Sequence, residues 1–334
     1  MNILLAGGLG FIGSHVAVEL LNNGHNVVIA DDLSNSKIEI LDAIQSITNK
    51  QVVFYQEDLK NFDSVEKIFK ENKLDGVVML AGFKAVGESC AEPLMYYENN
   101  LFIAINILKC MKKYNVDLVL FSSSATVYKS TNPMPLTEES ELGPCNPYGR
   151  TKYFIEEMLR DEAVANSNIK SVILRYFNPI GAHSSGLIGD DPNGIPNNLL
   201  PYISRVVTGK LEYLNVFGND YPTPDGTGVR DYIHIMDLAN AHLKALEFLQ
   251  KNPDVNYEVF NVGTGKGYSV LDIVNAYNEV CGGKVKYKIT DRRSGDVAEL
   301  YANPQKANKV LGWEAKYDIK EMCQSSYNYE NNKK

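Results

Sequence analysis

The chain has 334 residues, 44% of them hydrophobic and 22% charged, with a formal net charge of -8. This is an ordinary folded composition with material for one large or two modest cores and no need of disulfide staples. The acidic balance without a basic cluster argues against nucleic acid as main partner, and no apolar run has the length of a membrane span.

Short apolar runs open the chain and alternate with amphipathic stretches of helix length: "ILLA" (3 to 6), "VVIA" (27 to 30), "VVFY" (52 to 55), "GVVML" (76 to 80), "LVLFSS" (118 to 123) and "SVILRYF" (171 to 177). That rhythm predicts an α/β fold, a doubly wound parallel sheet of Rossmann type, with a smaller C-terminal α/β domain. The expected division is a nucleotide-binding domain over 1–177, rejoined by about 229–265, and a second domain over 178–334. Residues 94 to 111, "LMYYENNLFIAINILKCM", read as a helix apolar on more than one face. Leu94, Leu101, Ile105 and Leu108 mark one stripe, extended by Phe102 and Ile103. Such breadth fits either a dimer seam or a helix buried in its own domain. Prolines and glycines gather between 179 and 228, and the polar tail "NYENNKK" is expected to fray.

Five cysteines, Cys90, Cys110, Cys145, Cys281 and Cys323, are scattered without a CxxC pair. They read as reduced thiols, not a zinc site, and the histidines show no metal-ligand spacing, so no metal is expected. Met1 leads straight into an apolar strand without a basic leader, and a cytoplasmic location is expected.

"GGLGFIG" after the first strand contains Gly7, Gly10 and Gly13 at the head of a helix that Gly24 can stop. Glycines there let a backbone approach a pyrophosphate, whose charge the helix N-terminus holds. Asp31, about twenty residues on, is placed to accept from a ribose 2'-hydroxyl, and with Asp32 it disfavours a 2'-phosphate. NAD is therefore expected over NADP. Asp58 after the third strand and Lys84 after the fourth belong to the same crevice edge.

Two Tyr-x-x-x-Lys pairs are present: Tyr148 with Lys152 and Tyr329 with Lys333. The first follows the serine-ended run "VLFSSSATVY" and a proline suited to the first helical position, while the second lies in the tail. An ammonium at roughly 5 Å and an effective dielectric near 20 would favour the Tyr148 phenolate by about 3 kcal/mol, or about two pKa units. With Ser124, these residues resemble the catalytic set of the extended short-chain dehydrogenase/reductases. Sugar-nucleotide dehydratases of that superfamily carry an Asp-Glu pair after the serine or threonine, where this chain has Ala125 and Thr126.

The stretches "GFKAVGESCAEPLMYYENN", "LRYFNPIGAHSSGLIGDDPNGIPNNLLPYI", "FGNDYPTPDGTGVRDYIHIMDLA" and "RRSGDVAELYANP" resemble the UDP-glucose 4-epimerase family to about residue 325. The resemblance implies a homodimer, through helices near 94–111 and 148–165, that interconverts UDP-galactose and UDP-glucose on a resident NAD. It implies Phe11 and Ile12 along the pyrophosphate, and Asp31, Asp32, Leu33, Ser34, Asn35 and Ser36 around the adenosine. Asp58 and Leu59 would contact adenine; Leu80, Ala81, Gly82, Lys84 and Asn99 would line the remainder of the cofactor, and Phe177 would border the nicotinamide. Asn178 would contact the nucleotide sugar. Asn198, Leu199, Asn215, Val216, Phe217 and Arg230 would hold uridine and diphosphate, with Arg293 and Asp296 completing the cleft. Leu300 occupies the position at which restricted bacterial members carry Tyr, so UDP-N-acetylglucosamine enters as a second substrate. The competing expectations are another sugar-nucleotide epimerase, a dehydratase or reductase, and an NAD-sensing regulator, a class that typically lacks the Tyr and Lys.

Overall fold

The computed structural model describes residues 1–165, 168–293 and 296–333. From the N-terminus, β1 (Asn2–Ala6) leads to α1 (Phe11–Asn22), then β2 (Asn26–Asp31), α2 (Glu39–Thr48), β3 (Val53–Gln56), α3 (Phe62–Glu71) and β4 (Gly76–Met79). Two successive helices, α4 (Val86–Ala91) and α5 (Pro93–Tyr114), precede β5 (Leu118–Ser124), α6 (Pro147–Ala165) and β6 (Lys170–Tyr176). The chain continues through β7 (Asn178–Ile180), α7 (Leu199–Val207), β8 (Leu214–Phe217), β9 (Val229–His234), α8 (Ile235–Lys251) and β10 (Tyr257–Val262). It ends with β11 (Gly267–Ser269), α9 (Val270–Cys281), β12 (Tyr287–Thr290), β13 (Glu299–Leu300), α10 (Gln305–Leu311) and α11 (Ile319–Asn332).

Two compact units result. The first comprises Met1–Ser130, Ser140–Tyr176 and Ala239–Phe260, and the second Thr131–Glu139, Phe177–Leu238 and Asn261–Lys334.

In the first unit the strand order is β10-β6-β5-β4-β1-β2-β3, with β1 through β6 paired in parallel. Each apolar run named above supplies one of these strands, and Ile3, Leu4, Leu5, Val77, Val78, Val119 and Leu120 have no exposed surface. Strands covered on both faces need continuous apolar sequence, which is why the runs do not alternate with polar residues. The order reverses beside β1, whose neighbours are β2 and β4, so the carboxyl ends of β1 and β4 flank the switch-point crevice of a doubly wound sheet.

Helix α5 buries Ile103, Ala104, Ile107, Leu108 and Met111. The apolar residues named in the sequence divide: Ile103 and Leu108 are buried and Leu101 packs against the core, whereas Leu94 is 79% exposed and Phe102 50% exposed. The helix is apolar over so wide an arc that composition does not reveal which side the sheet covers.

The second unit is built on β9, which pairs antiparallel with β11 and parallel with β13 and β7; β8 and β12 form a separate parallel pair. Its core joins Leu200, Ile203, Ile273, Val274 and Tyr277 with Met322 and Cys323 of α11. The frayed tail is corrected. Helix α11 begins with a capping box at Asp318 and Glu321 and buries Tyr329 and Glu330. Ending the chain at Tyr317 is therefore expected to cost on the order of 5 kcal/mol, because it removes the buried Met322, Cys323 and Tyr329 and uncovers the core residues packed against them. Thermal denaturation and limited proteolysis of the second unit check this.

Candidate active site and nucleotide-binding residues

The turn after β1 is shaped by close approach. At Gly7, with φ of +85°, a Cβ would lie 2.7 Å from the Ala81 nitrogen; at Gly13 it would lie 2.2 Å from the Gly7 carbonyl oxygen. These two glycines serve packing of β1, β4 and α1. Gly10 differs, because a Cβ there would meet nothing nearer than 3.7 Å. It is the N-cap of α1 and no side chain caps the helix, so the first-turn amides of Phe11, Ile12 and Gly13 face an open approach.

Asp31, at the end of β2, accepts from Leu9 N–H (3.0 Å), Leu33 N–H (3.1 Å) and Ser36 O–H (2.6 Å), which fixes its carboxylate. Asp32 is exposed and accepts from Ser34 N–H at 2.9 Å; Asn35 is exposed beside it. Asp58 is exposed and accepts from Lys60 N–H at 2.9 Å, while Leu59 is buried. After β4, Leu80, Ala81 and Gly82 are half-buried and Lys84 is exposed. The parallel sheet thus brings all these residues to one edge, at the carboxyl ends of β1 through β4. An open glycine at a helix N-terminus and a fixed carboxylate on the next strand fit a dinucleotide with a free 2'-hydroxyl.

Asn146 caps α6 by accepting from Gly149 N–H at 2.8 Å, and Pro147 begins the helix. This places Tyr148 in the first turn, half-buried, and Lys152 one turn later, buried. The Lys152 ammonium donates to the Ser122 carbonyl at 2.6 Å and lies 5.9 Å from the Tyr148 ring centroid. Ser124 ends β5; its hydroxyl oxygen accepts from Thr126 N–H (3.2 Å) and Thr126 O–H (3.0 Å), which fills both lone pairs and leaves its proton to donate.

The electrostatics correct the pairwise expectation for Tyr148. Burial raises the phenol above its ordinary value, and the hydrogen bond with Ser124 offsets only part of that rise. Burial also pushes the Lys152 ammonium down, to about 8, against the opposing charge of Glu156. Desolvation outweighs the attraction that charge–charge arithmetic alone supplies. The second Tyr-x-x-x-Lys pair is in closer contact, Lys333 Nζ being 4.3 Å from the Tyr329 ring centroid, yet its ammonium is held by Asp191 (2.9 Å) and Glu330 (3.2 Å). Proximity does not separate the two pairs; the carboxylates on Lys333 do.

In the second unit, Arg230 Nη2 lies 3.8 Å from Asp296, which also accepts from Arg293 Nε at 3.1 Å. The Arg293 guanidinium stands 4.8 Å from the Phe217 ring centroid, and Leu300 is the register partner of Arg230. These residues therefore form one cluster. Asn215 and Val216 lie on β8 with Phe217; Asn198 N-caps α7 ahead of Leu199 and donates to Asp190 at 3.1 Å. Phe177 is buried and Asn178 half-buried where β7 begins.

Two positioning residues escaped the sequence reading. Asn100 accepts from Phe83 N–H (2.8 Å) and donates to Thr151 (2.9 Å), which ties the loop after β4 to the first turns of α6. Its signal was present: two adjacent asparagines inside a helix are unfavourable unless their amides are used. Asp231, wholly buried, accepts from Thr264 N–H (2.8 Å), Gly265 N–H (3.0 Å) and Ala302 N–H (3.1 Å), and so holds the strand of Leu300 against β9. An acid in the middle of the strand-length stretch "VRDYIH" is its signal.

Comparison with known proteins resolves the ancestry of this arrangement. A family model described as GDP-mannose 4,6 dehydratase matches residues 4–326. The UDP-glucose 4-epimerase of Bacillus subtilis (strain 168) is 52% identical over 330 residues, covering 99% of this chain and 97% of the relative. The crystal structure of UDP-glucose 4-epimerase from Bifidobacterium longum in complex with NAD+ and UDP superposes with a TM-score of 0.96 at 47% identity, covering 100% and 99% of the two chains. The chain belongs to the UDP-glucose 4-epimerase family. The UDP-Glc/GlcNAc 4-epimerase of Campylobacter jejuni is a more distant member, at 35% identity and a TM-score of 0.85 over 99% of each chain. The dehydratase in the name of the family model and the epimerase in the names of the relatives are different reactions. Here the residues after Ser124 form a short 3-10 turn, Ala125–Val127, without a carboxylate.

The two kinds of glycine are separable by experiment. Gly13→Ala is expected to destabilise the fold by at least about 2 kcal/mol through backbone overlap. Gly10→Ala is expected to melt within a few degrees of the parent protein yet lose NAD. Thermal denaturation together with the nucleotide content of the purified protein distinguishes them.

Proposed function

We propose that the protein interconverts UDP-galactose and UDP-glucose by reversible oxidation and reduction at C4 of the hexose, with NAD as resident cofactor. The observation that carries this reading is the Ser124, Tyr148 and Lys152 set at the end of β5 and the start of α6, followed by Ala125 and Thr126 where elimination of water would need acids.

In this reading Tyr148 takes the proton of the C4 hydroxyl, and Ser124 donates a hydrogen bond that eases its transfer. Lys152 favours the phenolate by its charge. NAD, when bound, accepts the C4 hydrogen as hydride and gives it back. The 4-keto sugar turns about its phosphate linkage, and Tyr148 restores the proton it removed. Gly7, Gly10, Phe11, Ile12 and Gly13 are assigned to the pyrophosphate, Asp31 through Ser36 to the adenosine, and Asp58 and Leu59 to adenine. Arg230 and Arg293 are assigned to the uridine diphosphate, whose charge suits guanidinium forks. Asp296 accepts from the ribose, and Leu300 sets the room left for substituents on the hexose. Leucine there, half-buried and without a hydroxyl, supports some turnover of UDP-N-acetylglucosamine.

A homodimer is proposed from the apolar residues of α5 and α6 that the core leaves exposed. Leu94, Met95 and Phe102 of α5 and Phe154 of α6 are exposed, and Tyr97 and Phe154 pack with ring centroids 6.1 Å apart. An apolar face on two adjacent helices suits a self-complementary seam. Among the described residues no helix is long and apolar enough to cross a membrane, and a cytoplasmic location is proposed.

Incubation with UDP-galactose and no added NAD is expected to yield UDP-glucose; no conversion even after NAD is supplied would overturn the reading. Tyr148→Phe is expected to lower kcat about 10³-fold while bound NAD is retained. Phe102→Glu is expected to shift sedimentation from dimer toward monomer.

A further inference from the structure

Helix α6 carries a second ionised residue on the face that holds Lys152. Glu156, one turn further on, has no exposed surface, and its partner Arg175 on β6 is 2% exposed. The guanidinium grips the carboxylate with a fork, Nε at 3.1 Å and Nη2 at 2.7 Å, and Ser123 donates its hydroxyl to the same carboxylate. Ser123 and Arg175 are register partners in neighbouring strands, so three donors from β5 and β6 fix the carboxylate. Arg175 Nη1 then donates to the Tyr128 hydroxyl at 2.9 Å. A buried ion pair of this kind contributes little to stability compared with apolar residues of the same volume. Its presence here calls for another use.

The use lies one turn back. The Lys152 ammonium donates to a backbone carbonyl, and the remaining groups around the pair are mostly uncharged. Tyr96 on α5, Tyr176 on β6 and Tyr257 on β10 are all raised by burial and stay neutral through the working pH range, and the Tyr148 phenol on α6 is itself raised by burial. Tyr128 bonds Arg175, Arg160 is paired with Glu157 at 2.7 Å, and Glu88 on α4 accepts from Tyr96 at 2.6 Å. Glu156 is thus the buried carboxylate in register with the ammonium, and Arg175 fixes where its charge sits.

We propose that Glu156, held in place by Arg175 and Ser123, is a positioning residue that keeps the Lys152 ammonium charged and aligned for proton transfer at Tyr148. The inference rests on the reading of Tyr148 and Lys152 as the proton-transfer pair. It assigns opposite effects to the two partners: Glu156 favours the ammonium, whereas Arg175, once freed of Glu156, opposes it.

The test is titration of Lys152 in full-length protein labelled with ε-¹³C-lysine, its signal assigned by its loss in Lys152→Met. In the parent protein the midpoint is expected near the value of about 8 set by burial and Glu156. Glu156→Gln is expected to lower it by about one pH unit, and Arg175→Gln, whose charge lies farther away, to raise it by a smaller amount. The charge-balanced double variant Glu156→Gln/Arg175→Gln is expected to fall between the parent and Glu156→Gln. The alkaline limb of kcat for UDP-galactose should move with each midpoint, and Glu156→Asp should restore most of the shift. Unmoved midpoints, or single variants that shift in the same direction, would overturn the proposal even where activity falls. If a single variant does not fold, the double variant decides; a double variant that does not fold assigns the pair to stability alone and overturns the proposal. Midpoints that move as described in a protein that converts no UDP-galactose would sink the proposed reaction and leave the effect on Lys152 standing.

Discussion

An ammonium buried against the carboxyl end of a parallel strand is the constraint around which the first unit is arranged. Water is withdrawn from Lys152, and what replaces it is one backbone carbonyl and one carboxylate a turn away. Each neighbour follows from that requirement. The cap at Asn146 sets where α6 begins, and hence the depth at which Tyr148 and Lys152 lie. The bridge through Asn100 to Thr151 prevents the same turns from shifting against the loop after β4. The fork from Arg175 keeps Glu156 in a single orientation.

This arrangement holds charge in a place where folding alone would not put it. Lys152 and Glu156 on α6 and Arg175 on β6 are buried together, beside Ser122 and Ser123, in an interior that is otherwise largely apolar. Stability gains little from such groups, since their desolvation offsets most of their attraction. The cost is borne beside Lys152, whose proton affinity it alters, and perturbed ionisable groups of this kind gather in active sites.

Much of this was legible in the sequence, for physical reasons that differ between elements. Strands buried on both faces announce themselves as unbroken apolar runs, which place β1, β2, β4, β5 and β6; β3, at the sheet edge without a buried residue, is marked by its β-branched and aromatic side chains. Pro147 marked the start of α6 because its missing N–H is harmless there. The buried side of α5 was not legible, since a helix apolar over most of its circumference does not say which neighbour it has. The order in the tail was hidden because "NYENNKK" is polar while its burial comes from Tyr329 and from partners such as Lys210, 120 residues away from Glu330. The direction of the Tyr148 shift was also out of reach, because desolvation depends on surroundings no spacing encodes. The same holds for Glu156 and Arg175: neither is unusual in sequence, and only the packing of α6 against β6 joins them.

The hydroxyl of Ser124 has a polarity of its own. With both acceptor sites filled by Thr126, it can take part in a hydrogen-bonded chain in one sense only. A fixed donor at the end of such a chain serves the loss and the return of one proton equally. Under the proposed reaction the Thr126 turn thereby offers one and the same hydrogen bond to the forward and the return passage.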